Sequence, residues 1–222
     1  MKSYLTVPAL LLTGFAALTF SPRAQAQAVQ LFSPAGLSGT DATLVYPDAV
    51  NTNYTSYSET AGGNTLTFTD ASSTYQRRNQ GNGWGGNFAP GTHLLWNQGG
   101  GPDTISFATA VTELGLKVGP NSGTDTFTLT AYNGLTSLGS FNVTGTQTGA
   151  GDDTSPFLGV KATGGNVITS VTISGSGGSS GNNFAISPVA FGATAVPEPG
   201  SYALLASFGL TGAAFLLRKR VR

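Results

Sequence analysis

The alternation across residues 126–132, Thr-Phe-Thr-Leu-Thr-Ala-Tyr, restricts the possible folds more than any other feature of this chain. Successive side chains of a strand point to opposite faces, so Phe127 and Leu129 share one face and the threonines the other. Asn133-Gly134 follows, a dipeptide suited to a hairpin turn, and residues 138–143 return with Phe141 and Val143 on one face. Similar short segments, separated by Gly, Asn and Ser clusters, recur at 43–46, 65–69, 93–96, 103–107, 111–118, 157–162, 167–173 and 183–191. No stretch between residues 27 and 195 sustains a 3.6-residue apolar period. Thirty-two glycines and only 9% charged residues argue equally against a helical bundle. The pattern predicts an all-β fold, a single antiparallel β-sandwich ectodomain over residues 29–195.

Absence of cysteine removes disulfides, thiolate metal ligands and cysteine nucleophiles. A body of this size buries enough apolar surface to fold without such staples. The formal net charge of zero hides a segregation. Between residues 27 and 196 four cations (Arg77, Arg78, Lys117, Lys161) face nine acids, a net charge of −5. Phosphate contacts need clustered Lys and Arg, so the body is not expected to bind nucleic acid.

Both ends carry processing patterns. Residues 1–28 read as a secretory signal peptide: Lys2, an uncharged apolar run over 7–20, Ser21-Pro22, then Ala24-Gln25-Ala26 and Ala26-Gln27-Ala28. Both tripeptides obey the small-x-small rule, so cleavage is expected after Ala26 or Ala28. The other end reads Val196-Pro197-Glu198-Pro199-Gly200, then uncharged residues 201–217, then Arg218-Lys219-Arg220-Val221-Arg222. Seventeen helical residues reach roughly 25 Å, slightly short of a ~30 Å hydrocarbon core, a mismatch that snorkelling and thinning absorb. The basic tail (218–222) stays cytoplasmic, which places the body outside. Taken alone, these residues describe a single-pass anchored protein.

Residues 196–222 together resemble the PEP-CTERM sorting signal: Pro197, Glu198 and Pro199, one short hydrophobic helix, and the basic cluster of Arg218, Lys219 and Arg220, in order. The resemblance implies recognition by exosortase, a membrane-embedded cysteine protease-transpeptidase, with processing near Pro197-Glu198-Pro199. It also implies at least transient inner-membrane anchoring, then transfer to the surface or extracellular matrix of a Gram-negative, polysaccharide-producing bacterium. From Trp84 onward the body is similar to a jelly-roll-like domain that recurs ahead of such signals. The similarity rests on Trp84-Gly85-Gly86-Asn87-Phe88, the strand segments from 111 to 173, and Asn183-Phe184-Ala185-Ile186. Such domains are often described as lectin-like. Related copies commonly carry an acid or amide after the Phe-Ala-Ile run, where Ser187-Pro188 stands here; if that position helps hold calcium, this copy has lost a ligand.

Two catalytic motifs match in letters only. Gly81-Asn82-Gly83-Trp84-Gly85-Gly86 satisfies G-x-G-x-x-G, but Ala89-Pro90-Gly91 opens a turn where a dinucleotide site needs a helix. Gly177-Gly178-Ser179-Ser180-Gly181 satisfies G-x-S-x-G inside a Ser/Gly/Asn run that reads as a loop, not a strand-to-helix elbow. His93, the single histidine, reads as a strand-edge residue. Trp84, Trp96 and Tyr75, with Arg77 and Arg78 nearby, are the candidate ligand residues, because sugars offer apolar faces to aromatic rings and hydroxyls to Asn, Gln and Arg. Asp103, Asp152 and Asp153 fall in glycine-rich loops and are candidate calcium ligands, although their spacing matches no defined calcium loop. No other cofactor is expected.

The expectation is an exported, non-enzymatic surface or matrix protein associated with exopolysaccharide or biofilm. A carbohydrate-binding module is the alternative. A secreted hydrolase would need a carboxylate pair or a serine–histidine pair brought together by the fold.

Overall fold

The computed structural model describes residues 27–38, 42–70, 74–177 and 182–193. The expected signal peptide up to residue 26, and the sorting signal with its helix over 201–217, lie outside the described residues. In chain order the strands are β1 (Ala28–Leu31), β2 (Ala42–Leu44), β3 (Asn53–Tyr54), β4 (Ser56–Ala61), β5 (Asn64–Thr69), β6 (Tyr75–Gln80), β7 (Gly83–Trp84) and β8 (His93–Gln98). They continue as β9 (Asp103–Pro120), β10 (Thr124–Asn133), β11 (Thr136–Thr146), β12 (Phe157–Ala162), β13 (Ile168–Ser176), β14 (Asn183–Ile186) and β15 (Val189–Ala193). The helical content among the described residues is one 3-10 turn, Pro34–Gly36.

The expected all-β class is what forms, and every paired strand except β6 with β7 runs antiparallel. The Thr-Phe-Thr-Leu alternation becomes β10, turned into β11 at Asn133-Gly134, with Gly134 left-handed at φ 58°. Phe127 and Leu129 are fully buried, while the threonines form hydroxyl ladders to β11 such as Thr130 with Ser140 at 2.8 Å. One sheet runs β11-β10-β13-β9, and β9 also takes β5, β12 and β15 along its length. A second sheet runs β14-β8-β6-β3, joined where β14 pairs with the last residues of β9, Val118 to Pro120. Both contribute to one core. Phe127 of the first meets Phe184 of the second edge to face at 5.5 Å, and Tyr46, Tyr57 and Phe68 pack edge to face nearby. The result is sandwich-like and consistent with a jelly-roll-like fold.

Residues 103–107 and 111–118, expected as two strands, belong to one 18-residue strand. No Gly, Pro or Asn interrupts Phe107-Ala108-Thr109-Ala110, so the chain bends without turning. The register against β13 slips there, from Ser106 opposite Ser170 to Val111 opposite Ile168. The segment 183–191, expected as one strand, is instead divided by Ser187-Pro188 into β14 and β15, which pair with different parts of β9. Pro188 has no N–H for a ladder, so the break falls where the sequence requires it.

Candidate functional site

The outer face of the second sheet is where aromatic and amide side chains meet. In β6 the period of two turns Tyr75 and Arg77 inward and Gln76 and Arg78 outward. In β8 it turns Leu95 and Asn97 inward and Trp96 and Gln98 outward. The register sets Gln76 opposite Trp96 on one side and Ala185 opposite Trp96 on the other. Trp84, Phe88, Leu94 and Ala185 form a small apolar cluster on this face, and Trp96 packs against it half-buried. The two indoles lie 5.9 Å apart at 57°.

The Arg78 guanidinium sits 4.8 Å from the centre of the Trp96 ring, a cation–π placement. It also donates to Asn51 Oδ1 at 2.5 Å. Asn51 adopts a left-handed backbone (φ 71°), which Asn tolerates better than most residues, and its N–H donates to the Arg77 carbonyl at 2.7 Å. Gly83 lies beneath the guanidinium with φ 83°, and a Cβ there would come within 2.7 Å of the Arg78 terminal nitrogen. Gly86 presses as closely on Trp84, since its Cβ would stand 2.3 Å from the indole nitrogen. The Trp96 indole N–H donates to Asn183 Oδ1 at 2.6 Å, and Gln98 donates to Asn53 Oδ1 at 3.3 Å. Gln76 Oε1 and Arg78 Nε have no hydrogen-bond partner although both atoms are shielded from bulk water. The exposed part of such a ring, with a guanidinium and amides around it, can meet the apolar CH groups and hydroxyls of a sugar.

Of the four residues expected to bind ligand, Trp96 is half-buried on the outer face, whereas Trp84, Tyr75 and Arg77 are buried. Trp84 is 6% exposed, its ring covered by its own loop. Tyr75 is fully buried and donates to Asp103 at 3.0 Å. Arg77, 1% exposed, donates from Nε to the Tyr46 carbonyl at 2.8 Å, and burial lowers its pKa. The inward half of β6 is therefore structural. The segment Tyr75-Gln76-Arg77-Arg78 contains no apolar alternation, so sequence alone had no means of separating Arg77 from Arg78.

The remaining motifs resolve similarly. Gly81 to Gly86 forms β7 and a loop in which Gly81 and Gly83 are left-handed, and no helix follows. That loop is tied to residues 147–155. Asn87 Oδ1 accepts from Thr148 and Gly149 N–H, its amide donates to Thr146 O and Thr154 Oγ1, and Gln80 donates to Gly86 O. Residues 178–181 of the G-x-S-x-G match lie outside the described residues. His93 is exposed, with Nδ1 2.9 Å from the Tyr46 carbonyl. Ser187 is buried, and its hydroxyl accepts from Lys117 N–H at 2.8 Å and donates to Pro188 O.

The three expected calcium aspartates do not gather at one point. Among the described residues no three His, Asp or Glu side chains form a cluster suited to a metal. Asp152 is spent on its own turn, accepting from Thr154 N–H and Oγ1, which lowers its pKa. Asp153 pairs with Lys117 at 2.6 Å and accepts from Ala89 N–H. Asp103 sits apart at 1% exposure, where burial pushes its carboxyl up to about 8 against the opposing bonds from Tyr75 and Asn97.

The fold and this face define a β-sandwich-like domain with a tryptophan–arginine platform on one sheet. Beyond that domain, residues 195–220 match the family described as the PEP-CTERM protein-sorting motif. Such a motif marks, in general, a protein held in the membrane and then exported to the surface, with an exosortase as its processing partner. No curated protein matches the chain.

Proposed function

We propose that this protein is a non-enzymatic component of the surface or extracellular matrix of a Gram-negative bacterium, held to exopolysaccharide by the Trp96 face. The observation that carries the reading is the Trp96–Arg78 stack at the centre of an amide-rich face. Sugar hydroxyls both donate and accept, so they suit a face of mixed amide and guanidinium groups. The body's net charge of −5 favours a neutral or weakly charged polymer over a strongly anionic one.

The test has two arms. Mature protein from the producing cells is run through native gels with and without the producer's own exopolysaccharide, and retardation by the polymer is expected. Unaltered mobility at every polymer concentration would refute the carbohydrate reading. In the second arm Pro197, Glu198 and Pro199 are replaced by alanine. Full-length chain should then accumulate in the membrane fraction. Normal surface delivery of that variant would refute sorting through this motif.

A further inference from the structure

Asp70, Asn97, Gly101 and Asp103 come together at the seam between the two sheets. Thr69 of β5 pairs with Thr104 of β9, so Asp70, just after β5, lies alongside Asp103 at the start of β9. Asn97 reaches the same point from β8, where it pairs with Tyr75. Its amide nitrogen lies 2.7 Å from Asp70 Oδ2, 2.5 Å from Asp103 Oδ1 and 3.2 Å from the Gly101 carbonyl. An amide nitrogen carries two hydrogens, so three oxygens converge on a group that can fully bond two. Asp103 Oδ2 has no hydrogen-bond partner, although Asp103 is 1% exposed and Asn97 fully buried. The loop between them is folded onto the same point. Gly99 N–H donates to Asn97 Oδ1, Gly101 N–H donates to Asp70 Oδ2, and Gly99 is left-handed at φ 94°.

We propose that these oxygens form a calcium site, with the carboxylates of Asp70 and Asp103 and the Gly101 carbonyl as protein ligands and Asn97 turning its amide oxygen inward, at the loss of its bond from Gly99 N–H. Two carboxylates, a backbone carbonyl and a side-chain amide are hard ligands of the mixed kind calcium accepts, with water completing its six to eight positions. Magnesium demands a nearly ideal octahedron, which a glycine-rich loop does not impose. A buried carboxylate is costly without a cation, and the ion pairs among the described residues, Lys117–Asp153 and Lys161–Glu113, engage other acids. Asp70 is half-buried and provides the approach from solvent.

The test uses the mature protein stripped with chelator and titrated with calcium chloride in a calorimeter, with magnesium chloride in parallel. One calcium site of modest affinity is expected, on the order of 10⁻⁴ to 10⁻³ M as in extracellular modules, with magnesium far weaker. Asp70→Asn should weaken calcium binding by more than about tenfold, as ligand loss does. Asp70 is half-buried, so that variant keeps its fold, and it decides the matter if Asp103→Asn does not fold. Asp152→Ala should bind calcium as the parent does. Terbium gives a second readout: bound at this site, it should glow by energy transfer from tyrosine and lose most of that emission in Tyr75→Phe. No calcium binding by the parent, unchanged binding by Asp70→Asn, or loss of binding in Asp152→Ala would each overturn the proposal. None of these readouts involves polysaccharide, so failure here leaves the Trp96 reading to its own test.

Discussion

Replacing Trp96 separates what holds the proposed platform together from what it does. In Trp96→Ala three contacts are lost. The Arg78 stack at 4.8 Å contributes about 0.5–2 kcal/mol depending on how far it is desolvated. The tilted pairing with Trp84 at 5.9 Å contributes about 0.5–1.5 kcal/mol. The N–H bond to Asn183 at 2.6 Å contributes about 0.5–1.5 kcal/mol. The expected loss of stability is therefore about 1.5–5 kcal/mol, large but survivable for a domain of this size. Trp96→Phe keeps a ring under Arg78 and loses chiefly the Asn183 bond, so about 1 kcal/mol is expected. Urea denaturation gives both values, and retardation by exopolysaccharide is measured on the same preparations well below their midpoints. Retardation should vanish in Trp96→Ala and weaken partly in Trp96→Phe. Trp84→Ala should lose about 3–5 kcal/mol from a buried position, yet its folded fraction should keep most of its retardation. Folded Trp96→Ala that is retarded like the parent would refute the platform. Equal destabilisation by the Phe and Ala variants would refute the stacking account.

Three further outcomes follow from particular contacts. Gly83→Ala should lose about 1–3 kcal/mol by equilibrium unfolding, from left-handed strain and collision with Arg78. Gly63→Ala, equally left-handed but with nothing within 4 Å of its Cβ, should lose less, and equal losses would remove the Arg78 contact from the explanation. Glu113 is pushed up by burial, but bonds from Lys161 and Ser38 outweigh that and hold it below its ordinary 4.5. Its contribution is therefore present above about pH 4.5 and lost as pH falls through the folded value, so Glu113→Gln should flatten the acid limb of stability against pH; an unchanged limb contradicts this. N-terminal sequencing of the mature protein should begin at Gln27, because Ala28 is paired with Ala162 in β1 and Gln27 O accepts from Thr163 N–H. A mature chain starting at Val29 would count against that reasoning.

The sequence by itself determined the all-β class. Alternation at 126–132 and Asn133-Gly134 are local signals, and local sterics turn them into β10, the turn and β11 without help from distant residues. It also determined the C-terminal sorting motif, which is a linear pattern. That no helix follows Gly81 to Gly86 is likewise visible in Ala89-Pro90-Gly91. Strands β4 and β6 were missed, since Ser56–Ala61 and Tyr75–Gln80 are too polar to show an apolar face. Only the tertiary structure decided which of two adjacent arginines stacks on Trp96 and which is buried, because that depends on which face β6 turns toward the core. It alone brought Asp70 and Asn97 to Asp103. Those residues are joined by strand pairing in one sheet and contact across the seam in the other, and no local pattern encodes a meeting of segments so far apart in the chain.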